Sequence, residues 1–152
     1  MTRLLLPLVL AAAGCGGPVA PAVHPVSGRL AVGEFPAADA RIAFRPLAEG
    51  QPVAVAVTGL EDGSFRLTTR SPNDGAAAGE YVVTILWPNS AVPIDECADP
   101  AAQDRLFGYY ADRGDSPMRA TVRPGPNDLL LAATVGSGSW SLPRRREISE
   151  RP

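Results

Sequence analysis

Apolar and polar residues alternate along seven short segments of the chain, and each segment is bounded by residues that favour turns. Because successive side chains of a strand point to opposite faces, this period of two predicts strands with one buried face each. The first segment is expected at a sheet edge, because Pro25 has no amide hydrogen to donate to a ladder. The predicted strands are 23–32, 40–46, 52–60, 63–70, 79–88, 118–124 and 127–135.

Turn-forming residues separate these segments and leave little room for helices. Asp62-Gly63 lies between two alternating runs and is the strongest local hairpin signal. The chain has 16 prolines and 15 glycines among 152 residues, which favours short strands and many turns over helices. We therefore predict an all-β fold, a single seven-stranded β-sandwich domain over residues 23–135.

A long segment between the fifth and sixth predicted strands breaks the pattern and carries an aromatic cluster, Phe107, Tyr109 and Tyr110. Residues 99–106 have the composition of a single helical turn, with Pro100 at its first position. We interpret the segment as an ordered excursion that packs over an open edge of the sandwich. Its three aromatic residues form a candidate surface for a carbohydrate or peptide ligand.

The N-terminus has the layout of a secretory signal peptide, with Arg3 before an apolar run over 4–14 that ends in small residues. This run is too short to span a membrane, which takes about 20 residues. Two kinds of export signal fit the segment. One is an ordinary secretory signal cut within the alanine-rich stretch. The other is a lipoprotein signal, which the next residues favour.

Ala12-Ala13-Gly14-Cys15 resembles the bacterial lipobox, although that motif prefers leucine where Ala12 stands. The resemblance implies that residues 1–14 are removed by cleavage between Gly14 and Cys15, and that the Cys15 thiol carries a diacylglyceryl group. Several acyl chains together anchor a protein durably to a membrane. Residues 15–22, rich in glycine, proline and alanine, are then a tether, and the protein is expected to be exported to the bacterial cell envelope.

The charge balance argues against nucleic acid as a partner. The chain has 14 basic and 16 acidic residues, a net charge of −2, and its acidic residues concentrate in 23–135. Binding to nucleic acid depends on neutralising phosphates, which an acidic domain does poorly. The arginine-rich segment 136–152 is predicted to be a flexible tail, with contact to anionic envelope polymers as the alternative.

Residues with reactive side chains are few, and the sequence predicts neither an enzyme nor a bound cofactor or metal. His24 is the only histidine, and Cys97 lies between acidic residues that would raise the pKa of its thiol. Cys97 is either buried and inert or paired between chains. The acidic residues around Asp104 could hold calcium, but we favour solvated loop residues. Trp87 and Trp140 could stack on a sugar, yet for Trp87 a place in the core or at its rim is favoured.

Several segments together resemble the carboxypeptidase regulatory-like domains of bacterial envelope lipoproteins. The resemblance rests on VSGRLAVGEFPAADARIAFRP, LEDGSFRLTT, DGAAAGEYVVTILWP and YYADRGDSPMRATVRPGPNDLLL, within residues 26–131. It implies a transthyretin-like, that is immunoglobulin-like, β-sandwich and a non-catalytic role as a structural, spacer or binding module. The expected function is a membrane-anchored structural or interaction module of the envelope, with proteins or polysaccharide there as partners. The alternative is a carbohydrate- or peptide-binding module that uses residues 107–110 or a sheet edge.

Overall fold

The computed structural model of the protein describes residues 20–89 and 103–135 and places ten strands in them. These described ranges contain no helix of ordinary length, which confirms the all-β fold class. They also include no apolar helix of the length that a membrane crossing requires. The strands are β1 (Val23–His24), β2 (Val26–Val32), β3 (Phe35–Pro36), β4 (Arg41–Pro46), β5 (Ala54–Val57), β6 (Ser64–Arg66), β7 (Ala76–Ala77), β8 (Gly79–Leu86), β9 (Arg119–Val122) and β10 (Asn127–Ala133).

Two four-stranded sheets and one short strand pair make up this part of the chain. The first sheet has the order β10-β2-β3, with β6 also paired to β2, and the second has the order β5-β4-β8-β9. Strand β1 pairs with β7. Strands β10 and β2 run parallel, whereas the other pairs are antiparallel. A bridge between Val55 and Thr68 links the two sheets through the segments of β5 and β6.

The inner faces of both sheets enclose one hydrophobic core, as in a β-sandwich. Alternation decides which side chains enter it, since Leu30 of β2 is fully buried while its neighbour Arg29 is exposed. Phe44 of β4 lies against Phe65 of β6 and Tyr81 of β8, with ring centroids 6.3 and 5.7 Å apart. Aromatic side chains therefore join the two sheets across the interior.

Each of the seven predicted segments contains a strand, but the predicted count of seven is not confirmed. The first segment holds both β1 and β2, and the two-residue strands β3 and β7 lie outside all seven segments. The transthyretin-like arrangement stays a prediction. Period-two burial locates strands such as β2 and β4, which bury alternate residues, whereas β8 is buried on both faces over residues 81–85 and a strand of two residues is too short to show a period.

The predicted edge position of the first strand is wrong. Strand β2 lies inside its sheet, with β10 on one side and β3 and β6 on the other. Pro25 is compatible with this position because it falls between β1 and β2, where no ladder hydrogen bond is lost. Its carbonyl oxygen instead accepts a hydrogen bond from the amide of Asn127, at 2.9 Å, which starts the pairing of β10 with β2.

The Asp62-Gly63 turn forms the hairpin that the sequence predicts between β5 and β6. The amide of Gly59 donates to the carbonyl of Ser64 across the turn, at 2.7 Å. Two features of residue 63 require glycine. Its φ of 65° lies in the left-handed region, and a Cβ there would lie 2.4 Å from the carbonyl oxygen of Leu30. The hairpin therefore brings the outer faces of the two sheets side by side.

Candidate functional site

The outer faces of six strands join into one continuous surface. These strands are β2, β4, β5, β6, β8 and β10. On the second sheet, Arg41 of β4 pairs with Leu86 of β8 on one side and with Val57 of β5 on the other. On the first sheet, Arg66 of β6 pairs with Ser27 of β2. Because the bridge at Val55 and Thr68 places β5 beside β6, the side chains of both sheets lie on the same surface.

A shallow basin of about 1210 Å³ lies on this surface. Four arginines line it, two from each sheet, and the acidic lining residue within the described chain is Asp128. We call this surface the arginine basin. The four arginines are Arg29, Arg41, Arg45 and Arg66.

Two of the four arginines have defined partners. Arg29 forms an ion pair with Asp62, at 3.6 Å between Nη2 and Oδ2, and both side chains are largely exposed. Hydrogen bonds from Ser64 lower the pKa of Asp62, and the charge of Arg29 lowers it further. Arg45 donates from Nε to Oγ1 of the buried Thr84, at 3.3 Å. These contacts orient Arg29 and Arg45 at the margins of the basin.

Arg41 and Arg66 keep their guanidinium groups available. Among residues 20–89 and 103–135, no carboxylate lies within ion-pair distance of either side chain, and both residues are exposed. A guanidinium group carries its charge at every accessible pH and presents a planar fork of donors that matches carboxylate or phosphate. The two arginines can therefore bind anionic groups without first breaking an internal contact.

Apolar side chains lie beside the arginines, with Val55 and Val57 on the strand between β4 and β6 and Leu86 on β8, on the other side of Arg41. Val55 is 48% exposed, Val57 is 59% exposed and Leu86 is 36% exposed, and all three line the basin. A charged margin around an exposed apolar centre is the usual anatomy of a binding surface. The arrangement can therefore bind a ligand that carries both negative charge and apolar groups.

The segment between β8 and β9 was predicted to present Phe107, Tyr109 and Tyr110 on a ligand surface, and the prediction is wrong for Tyr110. Tyr110 is not on the surface but in the core, 4% exposed, and its hydroxyl donates to the carbonyl oxygen and accepts from the amide of Thr134. Its backbone carbonyl accepts from the amide of Ile85 on β8, at 2.9 Å, and this pairing turns the side chain inward. Phe107 and Tyr109 are half exposed, at 50% and 54%.

The favoured interpretation of Asp104 as a solvated loop residue is wrong, because this side chain is 1% exposed. Its carboxylate accepts hydrogen bonds from the backbone amides of Trp87, Leu106 and Gly108, at 2.9, 3.1 and 3.0 Å. The described residues contain no group of three or more acidic, histidine or cysteine side chains placed to hold a metal ion. Asp104 therefore has a structural role, as the residue that fixes the excursion against β8.

Trp87 lies at the rim of the core. Its indole Nε1 donates to the carbonyl oxygen of Ala38, at 2.8 Å, and its ring packs against buried residues. The guanidinium of Arg105 covers the ring, with 4.9 Å between the guanidinium carbon and the ring centroid. The indole is therefore engaged by the protein itself, in agreement with the prediction of a core or rim position.

Several predicted sites fall outside the described residues. These are the cleavage and lipid-attachment residues Gly14 and Cys15, the cysteine Cys97, the tryptophan Trp140 and the tail 136–152. The arginine basin, in turn, was not predicted from the sequence. Its arginines come from three strands, and only the spacing of Arg41 and Arg45 on one face of β4 signals it within a single strand.

Comparison with known proteins identifies no relative from which a function could be transferred. No family model, no curated protein and no solved structure matches the chain. Function is therefore argued from the residues of this chain and from the surfaces that its sheets present.

Proposed function

We propose that the protein is an exported lipoprotein, anchored to a membrane through Cys15, whose β-sandwich is a non-catalytic structural or interaction module of the bacterial cell envelope. The observation that carries the proposal is Ala12-Ala13-Gly14-Cys15 directly after the apolar run 4–14. Acyl chains on Cys15 would hold the domain at the membrane, since each buried methylene contributes about 0.8 kcal/mol. The proposal includes a transthyretin-like arrangement of the strands, which rests on the sequence resemblance.

The start of the folded domain fits a short tether. Strand β1 begins at Val23, eight residues after Cys15. Arg70 donates from Nη2 to the carbonyl oxygen of Pro21, at 3.1 Å, so the chain contacts the domain just before β1. A tether over 15–22 would therefore hold the sandwich close to the membrane surface, within the length of eight extended residues.

The basin supports an interaction role within this proposal. Its described residues supply fixed positive charge, hydroxyl groups and exposed apolar side chains, which are the groups that bind a partner. An interaction module needs such a surface and a rigid scaffold beneath it, and the shared core of the two sheets provides the scaffold.

The anchor is tested on the N-terminal peptide of protein purified from membrane fractions. We expect its mass to equal that of a peptide that begins at Cys15 and carries two or three acyl chains. Cys15→Ala should remove the modification and shift the protein out of the membrane fraction, because one thiol is the only attachment point proposed. Cys97→Ala is the matched control and should leave both results unchanged. An unmodified N-terminus that begins elsewhere would refute the lipid anchor.

A second candidate function is carbohydrate binding by the excursion, and the exposure of Phe107 and Tyr109 favours it. We expect Tyr109→Ala to abolish binding to a polysaccharide array while lowering the free energy of unfolding by about 1 kcal/mol, because its ring packs edge-to-face on that of Tyr110. Leu60→Ala, at a residue 77% exposed on the β5–β6 turn, is the control for loss of an exposed apolar group. Equal binding by Tyr109→Ala and the unmodified protein would exclude this surface.

A further inference from the structure

We propose that the arginine basin binds an extended acidic segment of a partner polypeptide, one in which carboxylate and apolar side chains alternate. This inference rests on the interaction-module part of the proposed function and names the chemistry of the partner. It does not depend on the lipid anchor.

The charge of the basin is opposite to that of the chain as a whole. Four arginines face one aspartate in the basin, although the chain carries a net charge of −2. A local concentration of positive charge on an acidic protein attracts anionic partners. Arg41 and Arg66 contribute most, because neither has an ion-pair partner among the described residues.

The spacing of these two arginines fits an extended ligand. Val57 pairs with Arg41 and lies on the strand between β4 and β6, so the backbones of Arg41 and Arg66 are two strand spacings apart, roughly 10 Å. Arg45 follows Arg41 on the same face of β4 at about 13 Å. A single small anion can meet at most two of these three guanidinium groups, whereas carboxylates distributed along an extended chain can pair with all three.

The apolar residues of the basin decide the class of ligand. Val55 and Val57 are exposed between Arg41 and Arg66, Leu86 is exposed beside Arg41 on β8, and burying them requires apolar groups on the ligand. An acidic polysaccharide or a nucleic acid backbone offers charge without aliphatic side chains. A membrane carries its charge in the headgroups and its apolar chains beneath them, whereas the arginines and apolar residues of the basin lie side by side on one surface. A polypeptide in an extended conformation presents carboxylates and aliphatic side chains on alternate residues.

The test uses the full chain in nanodiscs of zwitterionic phosphatidylcholine, with empty nanodiscs as the blank. The probe is a fluorescent dodecapeptide of alternating glutamate and valine, and binding is followed by anisotropy. We expect saturable binding that weakens with salt, and a loss of about tenfold or more in Arg41→Gln and in Arg66→Gln, since each removes a charge-assisted pair. Arg123→Gln, an exposed arginine outside the basin, should bind as the unmodified protein does.

Three further probes separate the ligand classes. They are the dodecapeptide with glutamine in place of glutamate, the dodecapeptide with serine in place of valine, and an alginate fragment of the same charge. We expect each to bind at least about tenfold more weakly than the glutamate–valine peptide. Equal binding by any of them overturns the proposal. So does a lack of binding by the glutamate–valine peptide at about 1 mM, or unchanged binding in the Arg41 and Arg66 variants.

The same sample distinguishes failure of this proposal from failure of the anchor. The mass of its N-terminal peptide reports acylation of Cys15 independently of the peptide titration. Acylated protein that does not bind the peptide refutes the basin proposal and leaves the anchor intact. Protein that binds the peptide without acylation refutes the anchor and leaves the basin proposal intact.

Discussion

Asp104→Asn is expected to lower the free energy of unfolding by about 3 kcal/mol, a large part of the 5–15 kcal/mol that holds a typical domain folded. The carboxylate of Asp104 is buried and accepts three backbone hydrogen bonds, two at Oδ1 and one at Oδ2. Asparagine keeps the shape but replaces one oxygen with an NH₂ group. In the present orientation, that group would face the amide of Gly108, donor against donor, in a site closed to water.

The loss is measured by urea unfolding at neutral pH, with the midpoint and the slope fitted separately so that a change in stability is distinguished from a change in exposed surface. Asp115→Asn is the matched control, because it removes one charge from an exposed residue of the same excursion and should change stability by no more than about 0.5 kcal/mol. An Asp104→Asn protein as stable as the control would show that the three hydrogen bonds contribute little.

The same substitution connects stability to the aromatic surface. Phe107 has a φ of 55°, an uncommon conformation for a residue with a side chain, and Gly108 follows with a φ of 76°. The hydrogen bonds from Leu106 and Gly108 to Asp104 hold this turn from both sides. Weakening them should release Phe107 and Tyr109 from their fixed positions, so any carbohydrate binding by the excursion should fall together with stability.

Sequence reasoning located the long strands because burial on one face leaves a period of two that is visible in the residues themselves. It found the β5–β6 hairpin for a similar reason, since Asp62-Gly63 is a local signal. It missed the role of Asp104, whose partners are backbone amides that every residue type except proline supplies, including that of Trp87 seventeen positions away. Tyr110 was misplaced on the surface because a tyrosine in a polar segment gives no indication of which way it turns.

Contacts between distant segments account for the other differences. The parallel pairing of β10 with β2 joins residues about a hundred positions apart, and no local pattern marks it. It is this pairing that puts β2 inside the sheet and makes the predicted edge position wrong. The arginine basin is hidden for the same reason, because Arg41 and Arg66 meet on one surface only after the β5–β6 hairpin has joined the two sheets.

Gly28→Ala should destabilise the protein by about 3 kcal/mol or more, because β2 is enclosed on both sides at this residue. Gly28 pairs with Leu129 of β10 and with Phe65 of β6. A Cβ at this position would lie 2.1 Å from the carbonyl oxygen of Leu129 and 2.8 Å from the ring of Phe65. The ring can move, but the carbonyl belongs to the ladder, so β10 would have to separate from β2.

A double variant distinguishes these two contacts. Because Phe65 also packs in the core, Phe65→Leu is measured alone and in the Gly28→Ala background, and we expect Gly28→Ala to cost nearly the same in both if the backbone of Leu129 is its cause. Gly114→Ala is the control for adding a methyl group, since the nearest atom there is the carboxylate of Asp112, on a flexible exposed side chain. A cost of Gly28→Ala that disappears in the Phe65→Leu background would assign the clash to Phe65, and a stable Gly28→Ala protein would contradict the close packing of β10 on β2.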